Sequence, residues 1–106
     1  MGSAAIHAPH LIDVEITEAI RRQVPRRVLT AKQATSVLET WFSLDVTRYP
    51  FGALGARVWQ LRGNLSAYDA TYVALAESLK VPLLTADGRL VAAPGPRCVF
   101  EVVPNT

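Results

Sequence analysis

From residue 6 onward, short apolar runs alternate with longer stretches in which apolar residues return every three or four positions, the pattern of strands interleaved with helices. Ile6 to Pro9 reads as a short strand, and Pro9 or His10 opens a helix with Ile12, Ile16, Ala19 and Ile20 at helical spacing. Pro25 ends that helix because it cannot continue the hydrogen-bond ladder. Thr30 and Gln33 have the Thr-x-x-Gln form of a capping box, and the helix they start carries Ala34, Val37, Leu38, Trp41 and Phe42 on one side. Residues 44–49 alternate apolar and polar like a strand. Pro50 begins a further helix with Leu54, Val58 and Leu61 on one face, closed by Gly63 and Asn64. Ser66 and Asp69 form a second capping sequence ahead of the most helix-prone segment, rich in Ala and Leu. Residues 81–85 read as a short buried strand, and residues 97–103 as the last. The order β-α-α-β-α-α-β-turn-β predicts a parallel sheet covered by helices. There is no internal repeat, no low-complexity segment and no linker long enough to divide the chain.

Composition narrows the class. A chain of 106 residues is one domain with a modest core, and its 50% hydrophobic and 19% charged residues fit a compact protein and exclude a disordered one. No apolar run has the length of a membrane span, and the N-terminus lacks the basic and apolar regions of a signal peptide, so the expected location is the cytoplasm. The single cysteine, Cys98, lies in a strand-like run without a neighbouring His and reads as a buried inert thiol. The net charge is only +2, but the cations are nearly all arginine, with Arg21, Arg22, Arg26 and Arg27 clustered. Such a cluster fits a phosphate-rich partner, yet cations also favour the C-terminal dipole of a helix, and charge alone favours the second reading.

The candidate chemistry lies in carboxylates. Asp69 falls one turn into an apolar helix and Asp87 follows an apolar strand, with no basic residue adjacent to either. Both are thereby expected at the same end of a strand-and-helix layer, where open α/β sheets bind ligands. Each also has a structural reading: Asp69 as the third residue of a capping box, Asp87 as ordinary Asp-Gly turn chemistry. Glu15 sits beside the Ile12, Ile16, Ile20 stripe, where it either joins the acidic site or pairs with Arg21 or Arg22. Three carboxylates of this kind suit Mg²⁺, which prefers oxygen ligands and keeps several waters. His7 and His10, with no third ligand nearby, do not make a zinc site. Trp41, Trp59, Tyr68 and Tyr72 are expected in a core or a subunit contact in preference to base stacking.

Tyr-Asp-Ala-x-Tyr-Val-Ala-Leu-Ala-Glu from Tyr68, and Pro-Leu-Leu-Thr-x-Asp-x-Arg-Leu from Pro82, resemble the C-terminal half of PIN-domain ribonucleases of the VapC type, the toxins of bacterial toxin-antitoxin pairs. The run from His7 to Glu15 resembles the segment that carries the family's second acidic residue. The resemblance implies a PIN-like three-layer α/β/α fold over residues 6–106, preceded by five residues outside the family pattern. It assigns Glu15, Asp69 and Asp87 as catalytic metal ligands for Mg²⁺ (or Mn²⁺) and Thr85 as the supporting hydroxyl that orients a carboxylate or a water; beside these, Arg62 and Arg89 read as weak RNA phosphate contacts or, equally, as solvated surface charges. It further implies metal-activated hydrolysis of a structured RNA such as a transfer or ribosomal RNA, a VapB-type antitoxin that fills the site, and a homodimer. The family's opening strand, with its first metal-binding Asp, has no counterpart here, so the chain reads as N-terminally truncated. A catalytically impaired remnant that serves only for dimerisation or antitoxin binding is the rival expectation, and a start codon placed downstream of the true one is a third.

Overall fold

A computed structural model describes residues 5–104. The chain is mixed α/β, with helices and short strands alternating along it, and it divides into two compact units between Arg48 and Tyr49.

The first unit contains β1 (Ile6–Pro9), α1 (Leu11–Gln23) and α2 (Ala31–Ser43), and β1 pairs with β2 (Val46–Tyr49) in a two-stranded sheet. Thr30 and Gln33 close the predicted capping box: the Gln33 N–H donates to Thr30 Oγ1, and the Thr30 N–H donates to Gln33 Oε1 at 2.9 Å. Burial is thin in this unit. The α1 stripe at Ile12, Ile16 and Ile20 is only half-buried and no α1 residue is fully buried, while Ala34 alone is buried on α2. Val37 and Phe42, expected on the packed face of α2, are exposed. A side-chain knot joins three elements instead. Asp13 on α1 accepts from Trp41 Nε1 on α2 at 2.8 Å and from Arg48 Nε and Nη2 on β2 at 2.5 and 3.0 Å. Arg48 holds the Asp13 carboxyl below the usual carboxylate range.

The second unit carries the packed core. It comprises a 3₁₀ turn (Gly52–Leu54), α3 (Gly55–Gln60), α4 (Ala67–Leu79), β3 (Leu83–Thr85), α5 (Gly88–Ala92) and β4 (Phe100–Val102). α4 is apolar almost all round, which marks a helix that must be enclosed, and Ala70, Val73, Ala74, Leu75 and Ala76 are buried on it. Leu54, Val58 and Leu61 from the α3 region and Leu90 from α5 complete the cluster. The alanines let neighbouring elements approach the α4 backbone closely. β3 and β4 run parallel, with Leu83 opposite Phe100 and Thr85 opposite Val102.

Two expectations about single elements change. The helix predicted from Pro50 breaks into the 3₁₀ turn and α3, at a place where Gly52 and Gly55 lower helix propensity. The turn predicted after Asp87 is a short helix, because the Asp87 side chain accepts the Arg89 N–H at 2.9 Å and so caps α5. The predicted α/β class holds: among the described residues the strands pair as β1 with β2 and β3 with β4, the latter pair parallel.

Candidate functional site

Two of the three selected carboxylates share one cleft. Asp69 and Asp87 line a space of about 320 Å³ together with the polar Asn64, Ser66 and Arg89 and the apolar Leu65, Leu90 and Ala93. Asp69 arrives on the first turn of α4, and Asp87 arrives as the residue that follows β3 and caps α5.

The capping reading of Asp69 is only half fulfilled. Ser66 Oγ accepts the Asp69 N–H at 3.1 Å, so the N-cap is made by Ser66. The reciprocal bond seen between Gln33 and Thr30 is not made here. Aspartate is one methylene shorter than the Glu or Gln that a capping box uses at this position, and the Asp69 carboxylate takes no hydrogen bond or ion pair from the described residues. It is half-buried and lines the cleft. Asp87 is more engaged. Its Oδ1 caps α5 and stands 3.7 Å from Arg89 Nε, so a basic residue does accompany it. The Arg89 side chain is 97% exposed, which makes that ion pair weak and easily exchanged.

Thr85 acts on the backbone. Its Oγ1 accepts the Asp87 N–H at 3.0 Å and so fixes the turn from β3 into α5. Thr71 on α4 is buried, with its hydroxyl donating to Ala67 O. Glu15 belongs to the first unit, exposed on α1. Arg21 and Arg22 both pair with Glu18, whose carboxyl Arg21 draws down to about 2. Among the described residues, no group of three or more His, Cys, Asp or Glu side chains is placed to hold a metal ion. The donor set in the cleft is therefore two carboxylates, with hydroxyl and amide oxygens near them. That set is chemically suited to Mg²⁺, which takes one or two direct carboxylates and keeps the rest of its shell as water.

Other candidates resolve differently. Cys98 is half-buried, and burial pushes its thiol pKa up, so the protonated form dominates at neutral pH. Trp59, expected in a core or a subunit contact, is 67% exposed, with the Arg62 guanidinium 4.6 Å from its ring centre. The sequence carried a signal for this pair in the i, i+3 spacing, which places both side chains on one face of a helical turn. Ser66 and Asn64 were not selected as site residues, although the N-cap role of Ser66 put its hydroxyl beside the first turn of α4.

No family model matches the chain. Among curated proteins, it is 50% identical over 105 residues to a VapC ribonuclease of Mycobacterium bovis and to ribonuclease VapC9 of Mycobacterium tuberculosis, covering 99% of this chain and 83% of each relative. Ribonuclease VapC1 of Mycobacterium tuberculosis is 47% identical over 98 residues, or 92% of this chain and 74% of the relative.

Proposed function

This chain belongs to the VapC-type family of PIN-domain ribonuclease toxins, and from that premise we propose that it is a Mg²⁺-dependent endoribonuclease acting on structured RNA. The observation that carries the proposal is the convergence of Asp69 and Asp87 on one cleft, with the Asp69 carboxylate unengaged by the described residues. A half-buried carboxylate that faces a cleft and leaves its capping bond unmade is held ready for an external cation.

In this reading Asp69 and Asp87 hold Mg²⁺, with Mn²⁺ able to replace it, and Glu15 is the third acidic residue by family resemblance. When bound, the ion supplies a water acidified toward hydroxide and positive charge for the departing oxygen. Thr85 keeps Asp87 in place through the backbone N–H it accepts. Arg89, almost wholly in solvent, turns from Asp87 to a phosphate oxygen of the RNA, the contact that positions a strand without reading its sequence. The substrate is a transfer or ribosomal RNA, cut to leave a 5′ phosphate and a 3′ hydroxyl. A VapB-type antitoxin restrains the protein by filling the cleft, and the protein works as a homodimer.

The test is cleavage of bulk transfer RNA by the purified protein, with Mg²⁺ and with chelator, beside Asp69→Asn and Asp87→Asn. Cutting that needs the metal and both aspartates is the expected result. A second reading draws on the cleft's having two acidic side chains instead of a larger cluster: a binding module that engages antitoxin or its own copy without cutting. A folded preparation that retains antitoxin binding but cuts no faster than its variants establishes that second reading and removes the first.

A further inference from the structure

The cleft has a neighbour that the proposed chemistry does not use. Trp59 is 67% exposed at the end of α3, an expensive place for the largest aromatic side chain. Arg62 is fastened to it three ways. The Arg62 N–H and Nη1 both donate to Trp59 O, at 3.2 and 2.9 Å, and the guanidinium lies 4.6 Å from the ring centre. Arg48, Arg57 and Arg89 each face a carboxylate, whereas Arg62 faces a ring and a carbonyl. A guanidinium has five N–H donors, so most of those on Arg62 remain for another acceptor.

The pair is tied rigidly to the acidic cleft. Leu61, buried in the core, accepts N–H groups from Asn64 and Leu65 at 3.1 Å each, so the chain between Arg62 and the cleft is held by Leu61. Asn64 lines the cleft with Asp69 and Asp87. Two trans peptide units separate Arg62 from Asn64, which limits their Cα separation to about 7.6 Å.

We infer that Trp59 and Arg62 form a platform on which a base of single-stranded RNA stacks, with a phosphate of that segment on the Arg62 guanidinium and the next stretch of strand leading to the Asp69 and Asp87 cleft. The ring offers the π surface, and the stacked guanidinium offers fixed N–H donors and positive charge. That combination is how sequence-tolerant single-strand sites are built. The choice of RNA as ligand rests on the ribonuclease reading. The platform itself rests on the exposed ring, the guanidinium that faces no carboxylate, and the short stretch of chain that joins Arg62 to Asn64 in the cleft lining.

The experiment measures binding in chelator, so that it does not depend on cleavage. Fluorescence anisotropy would follow a labelled single-stranded 12-nucleotide oligouridylate and a 12-nucleotide abasic strand, with wild type, Trp59→Ala, Trp59→Phe and Arg62→Ala. Trp59→Ala is expected to weaken oligouridylate binding about 10-fold, and Trp59→Phe by no more than about threefold, since a ring remains for stacking. On the abasic strand, wild type and Trp59→Ala are expected to bind alike. Arg62→Ala should lower the slope of log affinity against log salt by about one on both strands. The inference is overturned if wild type does not bind the oligouridylate, if Trp59→Ala binds it as wild type does, or if its loss is equal on both strands. A change in sedimentation mass for Trp59→Ala with RNA affinity unaltered would instead place the ring between two copies of the chain. Loss of cleavage with the stacking signature intact would defeat the ribonuclease proposal alone.

Discussion

Asp69 and Asp87 reach the same cleft with different obligations, and the difference separates their roles by experiment. Asp69 leaves its capping to Ser66, so Asp69→Asn is expected to change stability by no more than about 0.5 kcal/mol, as for a substitution that removes no bond. Cleavage, read with Mg²⁺ present, should fall about 100-fold, the scale on which metal-site groups act. Equal losses in melting and in cleavage would show that the carboxylate serves the fold. Asp87 caps α5 as well, so Asp87→Ala adds a stability cost of about 1 kcal/mol that Asp87→Asn avoids, because an amide oxygen caps equally well. At this scale the sequence showed which residues were acidic and where caps began. Whether Asp69 would reach back to its cap was set by one methylene, which the capping pattern alone does not decide. A separate residue carries backbone strain: Lys80 ends α4 with φ at 56°, in the left-handed region. Lys80→Gly relieves that conformation at some cost in chain entropy, and a gain of about 0.5–1 kcal/mol in denaturant unfolding is expected.

Between elements, Glu77 performs a task that no sequence pattern announced. Its carboxylate accepts Arg57 Nε and Nη2 from α3 at 2.7 and 3.0 Å, and the Arg97 N–H from the segment before β4 at 2.7 Å. Arg57 also donates to Gly95 O, where φ of +107° suits glycine and a Cβ would meet Leu61 at 3.1 Å. One largely buried ion pair thus ties α3, α4 and the approach to β4 together. Glu77→Gln is expected to cost about 1.5–3 kcal/mol, the range for hydrogen bonds to a charged group. Arg57 holds the Glu77 carboxyl below its ordinary value. A carboxylate depressed in the folded state stabilises the protein above its unfolded pKa, and that contribution disappears as pH falls through the lowered folded value. Wild type should therefore lose stability on acidification below the ordinary glutamate range more steeply than Glu77→Gln, in urea titrations at stepped pH. Parallel curves would mean that other carboxylates govern the acid limb. The elements themselves were legible where the signal was local: both N-caps, the apolar run of α4 and the parallel β3 and β4. α5 was not legible, because Asp-Gly begins a turn and a capped helix with the same residues.

Across the whole molecule, burial is distributed unevenly, and sequence periodicity did not reveal it. The apolar stripe of α1 is as regular as any in the chain, yet α1 buries no residue fully, whereas α4 encloses Ala70 and Val73 completely. Periodicity reports which face is apolar, and it is silent on how much neighbouring material covers that face. Amide protection follows coverage, since local opening is cheapest where few apolar contacts are lost. Native-state hydrogen exchange should therefore find the central amides of α4 opening only with global unfolding. Those of α1 should exchange faster, on the order of 100-fold. Equal protection in the two helices would refute this ordering. The proposed homodimer adds a second variable: a copy that covers the exposed Val14, Val28 or Phe42 protects the first unit by mass action. Raising the protein concentration should then slow exchange in α1 while leaving the α4 to α1 difference positive at low concentration. If α1 protection does not change with concentration, the second copy docks elsewhere or not at all.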